Sequence, residues 1–296
     1  MKIAVFGKTI TPEARPHIEK LYHMLRSEGV DLFFYKPLHD HLVKHCDIDI
    51  DLNYPTFSGH TDFEAGKPDI MMTVGGDGTI LDAATLVRQS GVPILGVNTG
   101  RLGFLADVAR EEVIRAAKSL LKGSYTIQNR NLIGVELSGT APQPDPNFAL
   151  NEIAVSRKDT TSMITVHTWI NDEYLNSYWA DGLIIATPTG STGYSLSCGG
   201  PIIMPGSENF VITPIAPHNL TVRPFVIPNN FKIRMKVETR EDQFLTSVDS
   251  RIYPCDSDVE VFLERSDFQI RMVQTEVQNF PSTLRNKLLW GLDRRN

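Results

Sequence analysis

"PDIMMTVGGDGTILDAATLVRQSGVPILGVN", residues 68–98, decides the fold. An apolar run meets three glycines at 75, 76 and 78, a helical pattern follows as far as Gly91, and a second apolar run, VPILGVN, closes the stretch. Strand, tight turn, helix and strand in that order make a β-α-β unit, and such units build parallel sheets. Working outward, KIAVFG and VDLFFY read as further short strands. Between them Ile18, Leu21, Tyr22 and Leu25 recur at helical spacing before Gly29 stops the helix. REEVIRAAKSLLKG, 110–123, has the pattern of an amphipathic helix. Residues 1–123 are therefore expected to form an α/β nucleotide-binding domain with a Rossmann-like parallel sheet and helices on both faces.

After residue 123 strand-like runs succeed one another with turns between them: SYTIQNRNLIGVEL, FALNEIAVSR, MITVHTWI, GLIIATP, FKIRMKVE, QFLTSV, DVEVFLE and FQIRMVQ. This predicts an all-β domain over 124–280, with the proline-rich TAPQPDPN, 140–147, as a loop within it. A helix returns in PSTLRNKLLWGLD, capped by Ser282 or Thr283, and 281–296 is expected to pack back on the first domain. The sequence shows no internal repeat.

The formal net charge of −6 gives no general attraction to nucleic acid or to an anionic membrane, so neither is expected as a partner. The opening MKIAVFG has too short an apolar run for a signal-peptide core, and no run approaches the ~18 apolar residues of a membrane helix. Cys46, Cys198 and Cys255 are odd in number and widely spaced, which suits reduced thiols in a cytoplasmic protein.

Glycines at 75, 76 and 78 let a ligand approach the backbone where a helix N-terminus favours phosphate. The turn lacks the G-K-[ST] of a P-loop and the spacing of a dinucleotide fingerprint. A plain strand-to-helix turn capped by Asp77 would also account for the glycines. Beside phosphates, however, an aspartate is repelled unless it either bridges to them through a metal ion or takes the proton of an attacking hydroxyl. VNTGRLGFLAD, 97–107, is a second loop after a strand; in an open α/β sheet the two loops converge on one crevice, with Phe104 offering a flat face there or lying in the core. WADGLIIATPTGSTGYSLSCGGPI, 179–202, is rich in hydroxyls and glycine, as ligand loops and ordinary turns both are. Its GYSLS lacks the last glycine of a nucleophile elbow, which speaks against a serine hydrolase. His39, His41 and His45 in LHDHLVKHCD read as a solvated connector rather than as a metal site.

Taken together, GGDGT (75–79), NTGRLGFLAD (98–107), NE (151–152), DGLIIATPTGSTGYSLSCGGP (181–201) and RPFVIP (223–228) resemble the bacterial NAD kinase family, in order and over nearly the whole chain. GGDGT alone is shared with lipid kinases of the diacylglycerol type and with 6-phosphofructokinases; the glycine-hydroxyl loop ending in GGP is the specific part. The resemblance implies an α/β domain and a β-rich domain with NAD in the crevice between them. It also implies transfer of the terminal phosphate of ATP to the adenosine ribose 2′-hydroxyl, with a divalent metal, usually Mg2+, and a homodimer or homotetramer. It makes Asp77 the general base and Gly78 its neighbouring backbone contact, with Gly75, Gly76, Gly78 and Thr79 at the phosphates. It assigns Asn151 and Glu152 to hydrogen bonds with NAD, Asp181 to the dinucleotide near a subunit boundary, and Phe104 to the adenine. Thr192, Tyr194 and Ser197 line the adenosine. Three positions depart from the pattern: Gly193 where alanine is usual, Trp179 where some relatives have arginine, and Arg251 where some have glutamine, beside Asp249. The competing readings are a GGDGT-type lipid kinase, for which no basic amphipathic helix is visible, and a non-catalytic NAD-sensing module, which would not require Asp77.

Overall fold

The computed structural model describes residues 1–46, 50–100, 103–106, 108–159, 162–275 and 280–289. The chain divides into two compact units, one formed by Met1–Asn129 with Ile270–Asn296 and the other by Arg130–Gln269.

The first unit carries β1 (Lys2–Phe6), α1 (Arg15–Ser27), β2 (Asp31–Tyr35), α2 (Lys36–His45), β3 (Thr56–Phe57), α3 (His60–Gly66), β4 (Ile70–Gly75), α4 (Asp77–Val87), β5 (Ile94–Asn98), β6 (Val108–Ala109), α5 (Val113–Leu121) and β7 (Thr126–Arg130). Its sheet runs β3-β2-β1-β4-β5, with β1, β2, β3, β4 and β5 paired in parallel. Strands covered on both faces need apolar residues at nearly every position, which is why IMMTV and ILGVN are continuous runs. On one face Ile18, Leu21 and Leu25 of α1, Leu38 of α2 and Ala116 and Leu120 of α5 join Val5, Met72 and Val97 in a single core. On the other, Ile80 of α4 reaches Gly96 of β5, where a Cβ would stand 2.6 Å from its Cδ1.

Several features differ from the sequence reading. The histidine-rich stretch is not a solvated connector but helix α2: His39 is buried beside the Phe34 ring, and His41 Nε2 accepts the Ile10 N–H. Leu38 and Leu42, one turn apart, supply the buried face that the polar residues around them masked. FQIRMVQ, grouped by texture with the second half, contains β20 (Ile270–Gln274), which enters the first sheet between β5 and β7, parallel to β5 with Met272 opposite Ile94. SYTIQNRNLIGVEL likewise splits, its first part giving β7 to this sheet. Helix α7 (Phe280–Leu288) then packs on the first unit through Phe280 and Lys287, both against the Phe104 ring. Ser282 and Thr283 lie inside its first turn rather than capping it, and 290–296 fall outside the described residues.

The second unit contains β8 (Ile133–Leu137), β9 (Phe148–Ala149), β10 (Glu152–Arg157), β11 (Ile164–Ile170), β12 (Glu173–Ala180), β13 (Gly182–Ala186), α6 (Tyr194–Ser197), β14 (Asn209–Ile215), β15 (Phe225–Pro228), β16 (Ile233–Glu238), β17 (Gln243–Val248), β18 (Arg251–Asp256) and β19 (Glu260–Arg265). Two antiparallel sheets, ordered β15-β14-β13-β10-β17-β18 and β12-β11-β16-β19-β8-β9, share one core. IRMKVE in β16 and QFLTSV in β17 alternate buried and more open positions, the period of strands with one face inward. GLIIA in β13 is buried throughout. Its outer face, with Ala154 and Val211, is covered by Ile203 of the glycine-rich loop. Cys46, Cys198 and Cys255 are free thiols.

Candidate functional site

From β1 the chain winds outward through β2 and β3, then returns to place β4 on the other side of β1 and β5 beyond it. Between β1 and β4 the winding reverses, and the crevice at their carboxyl ends is where open α/β sheets bind ligands. GGDGT opens there. A Cβ on Gly75 would overlap the Thr79 side chain, so the turn needs glycine at that point, whereas Gly76 and Gly78 face open space. From the neighbouring loop after β1, Lys8 reaches α4 and pairs with Asp82 at 2.7 Å.

Asp77 does not cap its helix. Gly76 occupies the cap position and Asp77 is the first helical residue, with no capping bond from its side chain. The carboxylate turns to the second loop: Oδ2 accepts the Phe104 N–H at 2.8 Å, and Oδ1 accepts those of Leu105 at 3.1 Å and Ala106 at 3.0 Å. Gly103 makes this possible, since a Cβ there would overlap Asp77 Oδ1. Asn98 braces the same loop, accepting the Gly100 N–H and donating to the Ala106 carbonyl. The two loops expected to share a ligand are thus joined through Asp77. Phe104 is half-buried, with the Lys287 ammonium 4.6 Å from its ring centroid. Arg101, Leu102 and Asp107 lie outside the described residues.

The second unit gathers the remaining residues around another glycine turn. After β13 the chain makes a short 3-10 turn over Gly190–Thr192 and enters α6. Gly190 lies against the Asn151 backbone, which a Cβ would overlap; at Gly193 a Cβ would stand 3.0 Å from Glu152 Oε2 and 3.5 Å from Asn151 Nδ2. Asn151 and Glu152 therefore face the turn. Asn151 Oδ1 and Glu152 Oε2 are buried without a hydrogen-bond partner among the described residues. Burial, and then the nearby Asp249 charge, push the Glu152 carboxyl up to about 7, against a smaller opposing pull from the Tyr194 N–H. Tyr194 and Ser197 are exposed on α6, and Thr192 Oγ1 donates to the Thr189 carbonyl at 3.2 Å. The serines between them are structural. Ser191 Oγ donates to the Pro188 carbonyl and accepts the Ile203 N–H, while Ser195 Oγ pairs with Thr213 Oγ1. Asp181 is ion-paired with Arg157 at 3.0 Å.

Sequence reasoning left Arg251, Asp249 and Trp179 open. Arg251 donates to the carbonyls of Pro146 and Phe148 and so closes the proline-rich loop. Trp179 is half-exposed, its ring 4.2 Å from that of His218. Asp249 accepts the N–H groups of Leu150, Asn151 and Glu152. An aspartate in a two-residue connection was the available signal, but its partners lie about a hundred residues away in sequence.

Sequence models of the ATP-NAD kinase N-terminal and C-terminal domains match residues 3–125 and 150–275, so each match contains one of the two glycine turns. The chain belongs to the ATP-NAD kinase family. It is similar to NAD kinases of Cytophaga hutchinsonii, 45% identical, and Flavobacterium psychrophilum, 48% identical, in both cases over the full length of each chain. Among solved structures, an NAD kinase from Archaeoglobus fulgidus in complex with ATP superposes with a TM-score of 0.72 at 27% identity, covering 97% of each chain. Yeast NADH kinase complexed with NADH shares the fold, with a TM-score of 0.85 at 24% identity over 98% of this chain and 88% of that one. Of the family positions read from the sequence, Asp77, Gly78 and Phe104 cluster in the first unit, and Asn151, Glu152, Thr192, Tyr194 and Ser197 lie on or beside the glycine turn of the second.

Proposed function

We propose that the chain phosphorylates NAD with ATP, giving NADP and ADP, with Asp77 as general base. The observation that carries this reading is the Asp77 carboxylate, held by three backbone N–H groups at the mouth of an open glycine turn at the reversal of a parallel sheet. That turn offers little side-chain bulk, so phosphates can approach Gly75, Gly76, Gly78 and Thr79 at the start of α4. The ribose 2′-oxygen forms the new bond to the terminal phosphorus, the bond from that phosphorus to the bridging oxygen breaks, and ADP leaves with the electron pair. The hydroxyl proton passes to Asp77. Most of the acceleration then comes from positioning and from neutralising phosphate charge.

Asn151, Glu152, Thr192, Tyr194 and Ser197 supply the amide, carboxyl and hydroxyl groups that read the dinucleotide; the family resemblance also assigns it Gly78, Phe104 and Asp181. Magnesium bound with ATP would neutralise charge on the phosphates, a mode in which this ion uses few protein ligands. The family resemblance extends the proposal to a cytoplasmic homodimer or homotetramer; among the described residues no helix is long and apolar enough to cross a membrane. A GGDGT-type lipid kinase is disfavoured by the match to both NAD kinase domains.

The test is NADP formation by the purified protein with NAD, ATP and magnesium, read through an NADP-specific dehydrogenase, with Asp77→Asn in parallel. Loss of a general base lowers turnover by about 10²–10⁴-fold. Turnover retained by Asp77→Asn would remove the base assignment. A folded wild type that binds NAD but makes no NADP from ATP, other triphosphates or polyphosphate would be a sensor instead.

A further inference from the structure

Asp249 occupies the first position of the two-residue connection between β17 and β18, whose ends pair Val248 with Arg251. Its backbone is left-handed, with φ 52°, a conformation for which such short hairpins favour glycine. Asparagine and aspartate also tolerate that conformation, so the choice of a carboxylate calls for a reason beyond the backbone. The contacts supply one. Oδ2 accepts the Leu150 N–H at 2.9 Å, and Oδ1 accepts the Asn151 N–H at 2.8 Å and the Glu152 N–H at 3.2 Å. In return, the Asp249 N–H donates to the Glu152 carbonyl at 3.0 Å. The carbonyls of the same corner are taken by one residue, Thr187, whose N–H binds Asn151 O at 2.8 Å and whose hydroxyl binds Leu150 O at 2.6 Å. The backbone of the Asn-Glu pair is thus fully engaged, while Asn151 Oδ1 and Glu152 Oε2 remain buried without a partner among the described residues.

We propose that Asp249 is a positioning residue for NAD recognition, which fixes the Leu150–Glu152 corner so that Asn151 and Glu152 are aimed before the dinucleotide arrives. This rests on the reading of the pair as an NAD contact. It separates two roles within one cluster: Asp249 spends its lone pairs on backbone rather than on the ligand, and Glu152, bonded by the Tyr194 N–H, keeps Oε2 without a partner among the described residues. A second consequence is electrostatic. The two carboxyl groups are close enough to interact: burial raises Asp249 above the usual carboxylate range, the three N–H donors and then Arg251 oppose that rise, and the Asp249 charge adds to the burial that raises Glu152. Glu152 then carries the proton near neutrality. The other titratable groups around the pair are Arg251 on β18, which favours the Asp249 charge, and Tyr194 and Cys198 on the α6 side, both raised by burial first and by Glu152 among the lesser causes, with Asp181 also acting on Tyr194.

The experiment compares wild type and Asp249→Asn, both full length, in steady-state NADP formation across pH, with folding checked by thermal unfolding. Leaving buried N–H groups without acceptors is expected to raise KM for NAD by about 10–100-fold, while kcat and KM for ATP stay within about threefold. The acid-side midpoint of kcat/KM for NAD, near neutrality in wild type, is expected to move down in Asp249→Asn because the repelling charge on Glu152 is gone. An unchanged KM for NAD, an equal loss in every parameter, or an unmoved midpoint overturns the proposal. If Asp249→Asn does not fold, amide exchange in the wild type decides. Slow exchange at Leu150, Asn151 and Glu152 without NAD is the expected result, and fast exchange that slows only when NAD is added overturns it. Wild-type turnover in the same assay guards the premise: its absence removes the NAD kinase reading, whereas turnover with an unaltered Asp249→Asn removes this proposal alone.

Discussion

The two units use the same device at their glycine turns and put it to different ends. In the first, Asp77 accepts the N–H groups of three consecutive residues, 104–106; in the second, Asp249 accepts those of 150–152. Asp77 is only partly buried and sits in a turn open at Gly76 and Gly78. Asp249 is buried, with a second carboxyl, Glu152, close enough to feel its charge. A clamp that remains open to solvent leaves its carboxylate within reach of a ligand. One sealed in the protein fixes geometry and raises the affinity of its neighbour for a proton.

The likeness between the clamps is most exposed at Gly103. An alanine there overlaps Asp77 Oδ1 and displaces the carboxylate or the 103–106 loop. Gly103→Ala is expected to lower kcat by about 100-fold, the order of loss that follows a misplacement of about 1 Å. Wild-type kcat would mean that the first clamp is loose and that its resemblance to the second is superficial. In the second unit the more telling probe is stability. The Glu152 carboxyl, raised from its usual 4.5 to about 7, stays protonated in the folded chain where the unfolded chain has released its proton. Folding therefore loses stability as pH rises from about 4.5 to 7, and the full penalty, about 3 kcal/mol, is present above that window. Glu152→Gln should recover most of it at pH 8 and little at pH 4, as read by urea unfolding, with NAD affinity falling at the same time. A gain independent of pH would show that the proton is not shared as described. The smallest effect is expected at Gly193. A Cβ there meets the movable end of Glu152 at 3.0 Å and the Gly190 carbonyl oxygen at 3.2 Å, contacts that a shift of a few tenths of an ångström relieves, so Gly193→Ala should change KM for NAD by less than about threefold, under 1 kcal/mol; a larger loss would mean that Glu152 and the turn cannot give way.

What could be read from the sequence was what is local. The helical spacing of Ile18, Leu21, Tyr22 and Leu25 and the apolar runs of β4 and β5 carry their own period, and they form the elements that period predicts. Helix α2 escaped because six of its ten residues are Lys, His or Asp and only Leu38, His39 and Leu42 are buried. GGDGT reads in sequence as a strand-to-helix turn open to a ligand, yet the placement of the Asp77 carboxylate depends on amides 27 to 29 residues away, which no local pattern records. Asp249 lies farther from its partners still, 97 to 99 residues, and VDSR gives no sign that the corner at Asn151 waits for it. The serines of the glycine-hydroxyl loop were equally ambiguous, since Ser191 and Ser195 turn inward while Ser197 faces out.

The return of β20 to the first sheet has a consequence for the order in which the protein is made. All of Arg130–Gln269 leaves the ribosome before Ile270 does, so the first unit must wait with a vacant lane between β5 and β7. Two strand edges line that lane, and the segment that fills it buries Ile270, Met272 and Val273. Until then the lane is a template for any extended apolar segment, including the same strand of another nascent chain. The last strand is thus also the step that closes the first unit against trading strands with its neighbours.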